Sequence, residues 1–197
     1  MPKRTTSMTR AMNLLPISAI AVLALSGAAQ AAVQDVQANG FSIEEDLHIE
    51  ASPDKVYETL IQPKLWWSSA HTFSGDAKNM TMDARAGGCW CETLPGGGGV
   101  LHMTVVNAQP GKRLVLHGAL GPFQTTGMDG AMNFILETKD KGKTTELTLV
   151  YNLGGYVSGG YGALPQSADG VLNIQTKRLK KFIETGTPDY EAENTEK

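Results

Sequence analysis

Four side chains that could do chemistry lie in one short stretch. The segment GGCWCETLPGGGGVLH, residues 87–102, holds both cysteines of the chain together with Glu92 and His102. Alternate residues of a strand leave the same face, so the two cysteines share one face while Trp90 and Glu92 share the other. The run PGGGG is typical of a hairpin loop, which would bring the two halves of the segment together as antiparallel strands.

The length of that loop decides which residues face each other. A five-residue loop pairs Leu94 with Val100 and places Glu92 opposite His102, whereas a slip of one residue would place His102 beside Cys91. A carboxylate beside an imidazole orients the ring and raises its pKa, so the two are the candidate catalytic residues if they face a cavity. Strand surfaces often carry such pairs, and we expect an exposed ion pair of little energetic weight.

Cys89 and Cys91 allow three interpretations. A disulfide suits an oxidising compartment but needs a bulge, since residues two apart in an extended strand lie about 6.5 Å apart. A zinc or copper site would use both thiolates and a histidine, and the sequence offers no clear fourth ligand. We favour the third interpretation, in which both thiols are small buried hydrophobic groups. No metal or other cofactor is predicted.

The compartment follows from the N-terminus. Residues 1–31 contain a basic segment, an apolar run over 11–27 and a final small-x-small tripeptide, AQA. This order is typical of a secretory signal peptide cleaved near Ala31. The apolar run is short for a membrane anchor and contains Pro16. The sequence therefore predicts a bacterial protein that is periplasmic or secreted, with no membrane span after cleavage.

The rest of the chain is predicted to hold one domain. Residues 32–40 form an N-terminal extension, 41–186 a domain long enough for a sizeable core, and 187–197 a disordered acidic tail. Cleavage removes three basic residues and no acidic one, which changes the net charge from −3 to −6. Because no basic patch with interleaved aromatic residues remains, nucleic acid is not an expected partner. We expect a monomer.

Periodicity and capping residues predict the elements that position the segment. A half-buried strand over 41–50 leads into a short helix opened by Ser52, and a second short helical turn includes Trp66 and Trp67. A long amphipathic helix is predicted over 167–185. The strands between them are predicted over residues 80–85, 89–94, 100–106, 113–120, 131–139 and 145–153. These elements indicate an α+β fold in which a curved antiparallel sheet encloses the last helix, leaving a cavity between them.

The order of four motifs resembles that of the START-like superfamily, also called SRPBCC or Bet v 1-like helix-grip proteins. The motifs are IEASPDKVY at 49–57, AGGCW at 86–90, QPGKRLVL at 109–116 and the closing helix. The resemblance is greatest to the branch of activators of the Hsp90 ATPase and polyketide cyclase-like proteins. It implies a helix-grip fold with an internal hydrophobic cavity, and leaves the chemistry open. A secreted protein would have neither Hsp90 nor ATP beside it, so a co-chaperone role is not expected.

We therefore predict that a small hydrophobic or amphipathic molecule binds in the cavity between the sheet and the last helix, with the protein acting as a carrier or sensor. Two alternatives are a cyclase, dehydratase or hydrolase that uses Glu92 and His102, and a protein-binding accessory module. The candidate ligand contacts are Trp90, Met103, Leu116, Tyr151 and Gln175.

Both faces of the hairpin are candidates for the interior. The resemblance implies that Trp90 points toward the cavity, which would carry Glu92 and His102 inward with it. On the opposite face, beside the cysteines, runs an apolar row: Leu101, Met103, Val105, Leu114 and Leu116. Only a bulge, at the glycines before the first cysteine or in the PGGGG loop, would let both faces point inward. We expect the apolar row inside, because burial of an unpaired carboxylate is costly.

Overall fold

The computed structural model describes residues 32–189 together with Met1. The predicted signal peptide and most of the predicted acidic tail therefore lie outside the described residues. The elements in chain order are β1 (Ala32–Gln37), β2 (Gly40–Ile49), α1 (Pro53–Leu60), β3 (Met80–Met82), β4 (Cys89–Thr93), β5 (Gly99–Gln109), β6 (Arg113–His117), β7 (Gly127–Lys139), β8 (Thr144–Tyr156) and α2 (Leu164–Thr185). Short 3-10 turns include Pro63–Leu65, Ser69–His71 and Gly121–Thr125.

One antiparallel sheet contains all eight of these strands, in the order β1-β2-β8-β7-β6-β5-β4-β3. The sheet is curved, and α2 packs against β2 and against α1. Most of the inward-pointing side chains of β2, β7 and β8 are apolar and fully buried. The predicted α+β helix-grip architecture is confirmed.

A capping serine marks the start of α1, and a proline and a glycine mark the two ends of α2. Ser52 caps α1, where its Oγ accepts a hydrogen bond from the backbone N–H of Lys55 at 3.4 Å. α2 begins at Leu164 rather than at the predicted Ser167, because Pro165 is suited to a first turn. It ends as predicted at Gly186, whose φ of 82° is left-handed backbone that favours glycine. Among residues 32–189, no helix has the length and apolarity needed to cross a membrane.

The turn between α1 and β3 is held by its two tryptophans, as predicted. Trp66 and Trp67 are both buried, and their rings meet edge to face with centroids 5.5 Å apart. Trp66 donates its indole N–H to the carbonyl of Thr59 at 3.2 Å, and Trp67 donates to the carbonyl of His71 at 2.8 Å. Because both indole groups are satisfied, the segment that follows α1 has a fixed path over the end of the core.

The predicted N-terminal extension contains a strand that the sequence did not indicate. β1 pairs with β2, for example through Val36 and Phe41, although the side chains of β1 are mostly exposed. Backbone hydrogen bonds to β2, rather than an apolar face, hold β1 in the sheet. Hydrophobic periodicity therefore did not predict this strand.

Candidate functional site

A cavity of about 400 Å³ lies between the first half of α2 and the sheet. Its wall comes from the turn after α1, from β5, from the loop between β6 and β7, from β8 and from α2. Side chains that line it include Trp67, Phe73, His102, Phe123, Tyr151 and Ala168. Most of the wall is apolar with a few polar groups, which is the usual composition of a small-molecule site.

The glycine-rich loop between β6 and β7 forms part of the cavity wall. Leu120 and Phe123 of this loop line the cavity, and Phe123 meets Phe41 at a centroid distance of 6.3 Å. Phe41 also contacts Tyr161, in the loop between β8 and α2, with ring centroids 5.6 Å apart.

Glu92 and His102 form a buried pair on the inner side of the sheet. The Nε2 atom of His102 lies 2.9 Å from Oε2 of Glu92, and the two residues are only 5% and 2% exposed. The expectation of an exposed cross-strand pair was therefore wrong. His102 lines the cavity, whereas Glu92 lies behind it.

A bulge in β5 turns His102 inward. Trp90 pairs with Met103 while Cys91 pairs with Leu101, so His102 is an extra residue opposite the junction between them. The strand consequently buries two successive residues, His102 and Met103, and leaves Leu101 56% exposed. Both faces of the predicted hairpin thus contribute to the interior, and the expectation that only the apolar row does so was wrong. The bulge also lies in β5, away from the two positions considered for it.

The turn enclosed by the last cross-strand hydrogen bond between the β4 and β5 sides of the hairpin is shorter than the predicted five residues. Leu94 donates its backbone N–H to the carbonyl of Gly98 at 2.8 Å, which leaves three residues in the turn. Gly96 and Gly97 adopt left-handed backbone, with φ of 86° and 92°, and so permit this tight turn. Glu92 therefore pairs with Val100 across the strands and reaches His102 along a diagonal.

Hydrogen bonds hold Glu92 in its ionised form. Its carboxylate accepts from the backbone N–H of Ser74 at 2.5 Å and of Phe73 at 3.2 Å, as well as from His102. Burial alone raises the pKa of Glu92, but these hydrogen bonds outweigh it and leave the pKa below its usual value. For His102 burial dominates and lowers the pKa, although Glu92 acts in the opposite direction. The sequence had predicted a raised imidazole pKa.

Aromatic rings surround the pair. Trp90 is fully buried and meets Trp67 edge to face at 4.9 Å and His102 at 5.7 Å. Phe73 lies 5.9 Å from His102 on the cavity side. The indole N–H of Trp90 has no hydrogen-bond partner in the described part of the chain. These contacts fix the imidazole ring in one place.

The five predicted ligand contacts fall into two groups. Tyr151 lines the cavity, and its hydroxyl accepts from the N–H of Leu120 at 3.1 Å and donates to the carbonyl of Gly118 at 3.3 Å. Burial raises the pKa of this hydroxyl, so it stays protonated. The other four residues are buried in the core and are not among those that line the cavity, so they are corrected to supporting positions: Trp90, Met103, Leu116 and Gln175.

Gln175 has a supporting role that its position on α2 explains. Its Oε1 accepts from the backbone N–H of Ser68 at 2.8 Å, and its Nε2 donates to Nδ1 of His71 at 2.7 Å. The partner that a buried glutamine requires is thus the segment after α1, which lines the cavity. His71 and Phe73 lie between α1 and β3, where the spacing of residues carries no periodic signal that could have indicated either of them.

Cys89 and Cys91 form a disulfide on the outer face of β4. Their Cα atoms are 5.5 Å apart, closer than in an extended strand, and the register shift lies between Trp90 and Cys91. The expectation of two free buried thiols was wrong, and the bond removes the thiolates that a zinc site would need. Within residues 32–189 no group of three histidine, cysteine or acidic residues could hold a metal ion.

The double variant Cys89→Ser/Cys91→Ser is expected to lose about 1–2 kcal/mol of unfolding free energy, because a disulfide that closes so short a loop removes little chain entropy. Urea unfolding with and without a phosphine reductant measures this loss. The reductant should destabilise the wild type to the same extent and leave the double variant unchanged. A wild type that is insensitive to a reductant shown to break the bond would contradict the expectation.

The sequence model of the family described as Activator of Hsp90 ATPase homolog 1-like protein matches residues 50–182, which is most of the chain. The chain belongs to this family. The matched residues include Glu92, His102 and the residues that line the cavity, whereas β1 and β2 precede them. The suspected membership of the START-like superfamily is confirmed.

Several solved structures share the fold of this family member. A conserved protein of unknown function from Enterococcus faecalis has a TM-score of 0.53 and 18% identity, over 85% of this chain and 82% of that one. A protein from Arthrobacter aurescens has a TM-score of 0.55 and 13% identity, over 85% of this chain and 98% of that one. CalU16 from Micromonospora echinospora has a TM-score of 0.50 and 18% identity, over 83% of this chain and 88% of that one. At these identities the likeness extends to the fold alone. No curated protein matches the chain significantly.

Proposed function

We propose that this START-like protein binds a small hydrophobic or amphipathic molecule in the cavity beneath α2, as a carrier or sensor. The observation that carries the proposal is the cavity itself, about 400 Å³ in volume and mostly apolar, which is already formed in the folded chain. An apolar cavity of about 150 Å³ holds one benzene, so this one has room for roughly two to three aromatic rings.

The compartment is part of the proposal. The N-terminal pattern typical of a signal peptide supports a periplasmic or secreted protein. The disulfide between Cys89 and Cys91 gives independent support, because such bonds persist in oxidising compartments. The ligand would then be met outside the cytoplasm, where Hsp90 and its ATP supply are absent.

The enzyme interpretation stays a prediction. The structure brings Glu92 and His102 together, and a buried neutral imidazole is as suitable for binding a polar ligand group as for accepting a proton. Because the surrounding wall is apolar, ligand binding needs no further assumption.

Ala168→Trp is expected to weaken binding of the neutral fluorescent probe N-phenyl-1-naphthylamine at least tenfold, since Ala168 lines the cavity and an indole would fill part of it. Fluorescence titration measures the change. Val171→Trp is a second filling variant on the same wall. Ile174→Trp is the matched control, because Ile174 is on the same helix but 45% exposed. Equal affinity in all four proteins, with their fold intact by circular dichroism, would contradict the proposal.

Native mass spectrometry of the protein purified from its own host tests the proposal directly. The expected spectrum shows a polypeptide that begins near residue 32, lacks two hydrogens because of the disulfide, and retains an additional small molecule. A polypeptide that still carries residues 1–31 contradicts the compartment. A mature chain that carries no small molecule and binds no apolar probe contradicts the binding function.

A further inference from the structure

The polar end of the cavity has a defined hydrogen-bonding character. Glu92 accepts from two backbone N–H groups, of Phe73 and Ser74, and from Nε2 of His102. A carboxylate that receives three donors is in its acceptor-only, ionised form. Nε2 of His102 must therefore carry a proton, since it faces an acceptor.

The other ring nitrogen of His102 is then left with a lone pair. A neutral imidazole has one donor and one acceptor, so Nδ1 is the acceptor when Nε2 is the donor. Nδ1 has no hydrogen-bond partner among the protein groups that the structure describes, although the residue lines the cavity. The lowered pKa of His102 agrees with a neutral ring.

The surroundings restrict what could approach this nitrogen. Trp67, Phe73 and Phe123 give the nearby wall an apolar surface. No lysine or arginine is among the residues that line the cavity, and the ionised Glu92 lies directly behind His102. An anionic ligand would lack a basic partner and would meet a negative charge, which disfavours its entry into a site of low dielectric.

We propose, on the basis of the proposed function, that the ligand carries a neutral hydroxyl group, which donates a hydrogen bond to Nδ1 of His102 while the rest of the molecule packs on the apolar wall. The ligand class is thus an apolar alcohol or phenol, of roughly two to three rings or a chain of equal volume. Free fatty acids and other carboxylates are excluded from this class by charge.

Four naphthalene probes of nearly equal size test this class: 2-naphthol, 2-methylnaphthalene, 2-naphthoate and 2-(aminomethyl)naphthalene. At pH 7 the wild type should bind 2-naphthol about 3–10 times more tightly than 2-methylnaphthalene, which is the contribution of one net hydrogen bond. Binding of 2-naphthoate should be weaker than that of both. In His102→Phe the preference should vanish, so that the ratio of the affinities for 2-naphthol and 2-methylnaphthalene falls to about one.

The outcomes separate this inference from the function on which it rests. If none of the four probes binds, the proposed function fails. If they bind with equal affinity, or if the carboxylate or the amine binds best, the cavity is a ligand site and the hydroxyl class is wrong.

Imidazole ¹⁵N NMR of the wild type gives a readout that does not depend on any variant folding. We expect the signal of a neutral ring protonated at Nε2, with an Nδ1 resonance that moves when 2-naphthol is added. A proton on Nδ1, or an Nδ1 signal unaffected by saturating 2-naphthol, overturns the inference. The second result would mean that this nitrogen faces a second pocket, which His102 also borders and which is lined by β5, by the loop after β6 and by the start of β7.

Discussion

Glu92→Ala is expected to lower the free energy of unfolding at pH 7 by about 3–5 kcal/mol, because it removes one member of a buried, hydrogen-bonded charged group. Three donors lose their common acceptor: the backbone N–H groups of Phe73 and Ser74 and the imidazole of His102. Each donor left buried without a partner costs about 1–3 kcal/mol. Urea unfolding followed by circular dichroism measures the change.

Glu146→Ala is the matched control, since Glu146 also pairs with a histidine. Its Oε1 lies 2.6 Å from Nδ1 of His48, with both side chains partly exposed. Exposed pairs contribute little, so the control should change the unfolding free energy by no more than about 1 kcal/mol. Equal losses in the two variants would show that burial of Glu92 has no energetic consequence, and would remove the basis for its positioning role.

The same carboxylate predicts how stability depends on pH. The pKa of Glu92 in the folded chain lies below its usual value of 4.5, so its contribution is present above pH 4.5 and is lost as the pH falls through the folded pKa. As the pH falls below 4.5, the wild-type protein should therefore lose more unfolding free energy than Glu92→Ala does. Parallel pH profiles would contradict the assignment of an ionised Glu92.

Glu45→Gln is expected to have the opposite effect and to stabilise the protein at pH 8 by about 3 kcal/mol. Glu45 is only 2% exposed between β2 and α2, where Oε2 accepts a hydrogen bond from Thr176. Its Oε1, like Oδ1 of Asp169, has no partner among the described residues. Burial is the main cause that raises the pKa of Glu45 to about 7; Asp169 raises it further, while Thr176 and Lys177 act against it.

The sign of this effect follows from the raised pKa. Ionisation of Glu45 is disfavoured in the folded chain, so stability falls as the pH rises from 4.5 to about 7, and a neutral amide avoids that loss. The gain should be full at pH 8 and small at pH 5, as measured by urea unfolding at both values. Glu44→Gln, one residue earlier and on the other face of β2, is the control and should show no such pH dependence. A destabilised Glu45→Gln at pH 8 would show that the carboxylate is stably ionised in the fold.

Local signals were enough to predict most of the fold. Ser52 and Pro53 marked the start of α1, Gly186 the end of α2, and alternation of apolar residues marked β2. Each of these signals acts within a few residues of the chain. β1 could not be found in this way, because its pairing with β2 uses backbone groups that every sequence has.

The site was predicted in its members but not in its geometry. Glu92 and His102 were identified as a pair, yet burying them was judged too costly, because the sequence showed no donors for the carboxylate. Those donors are the backbone N–H groups of Phe73 and Ser74, in a loop almost twenty residues earlier. The bulge at His102 was equally hidden, since it depends on the shorter turn of Gly96 and Gly97 and on the contraction of β4 at its disulfide.

The two outermost strands bear on aggregation. An edge strand carries unpaired backbone groups that can template pairing with another chain, unless it is short, bulged or charged. β1 has a register irregularity between Val33 and Asp35 and carries a charge at that point, and β3 is only three residues long. Neither edge presents the long, flat row of groups that edge-to-edge polymerisation needs. Backbone pairing of a further copy with either of these edge strands is therefore disfavoured.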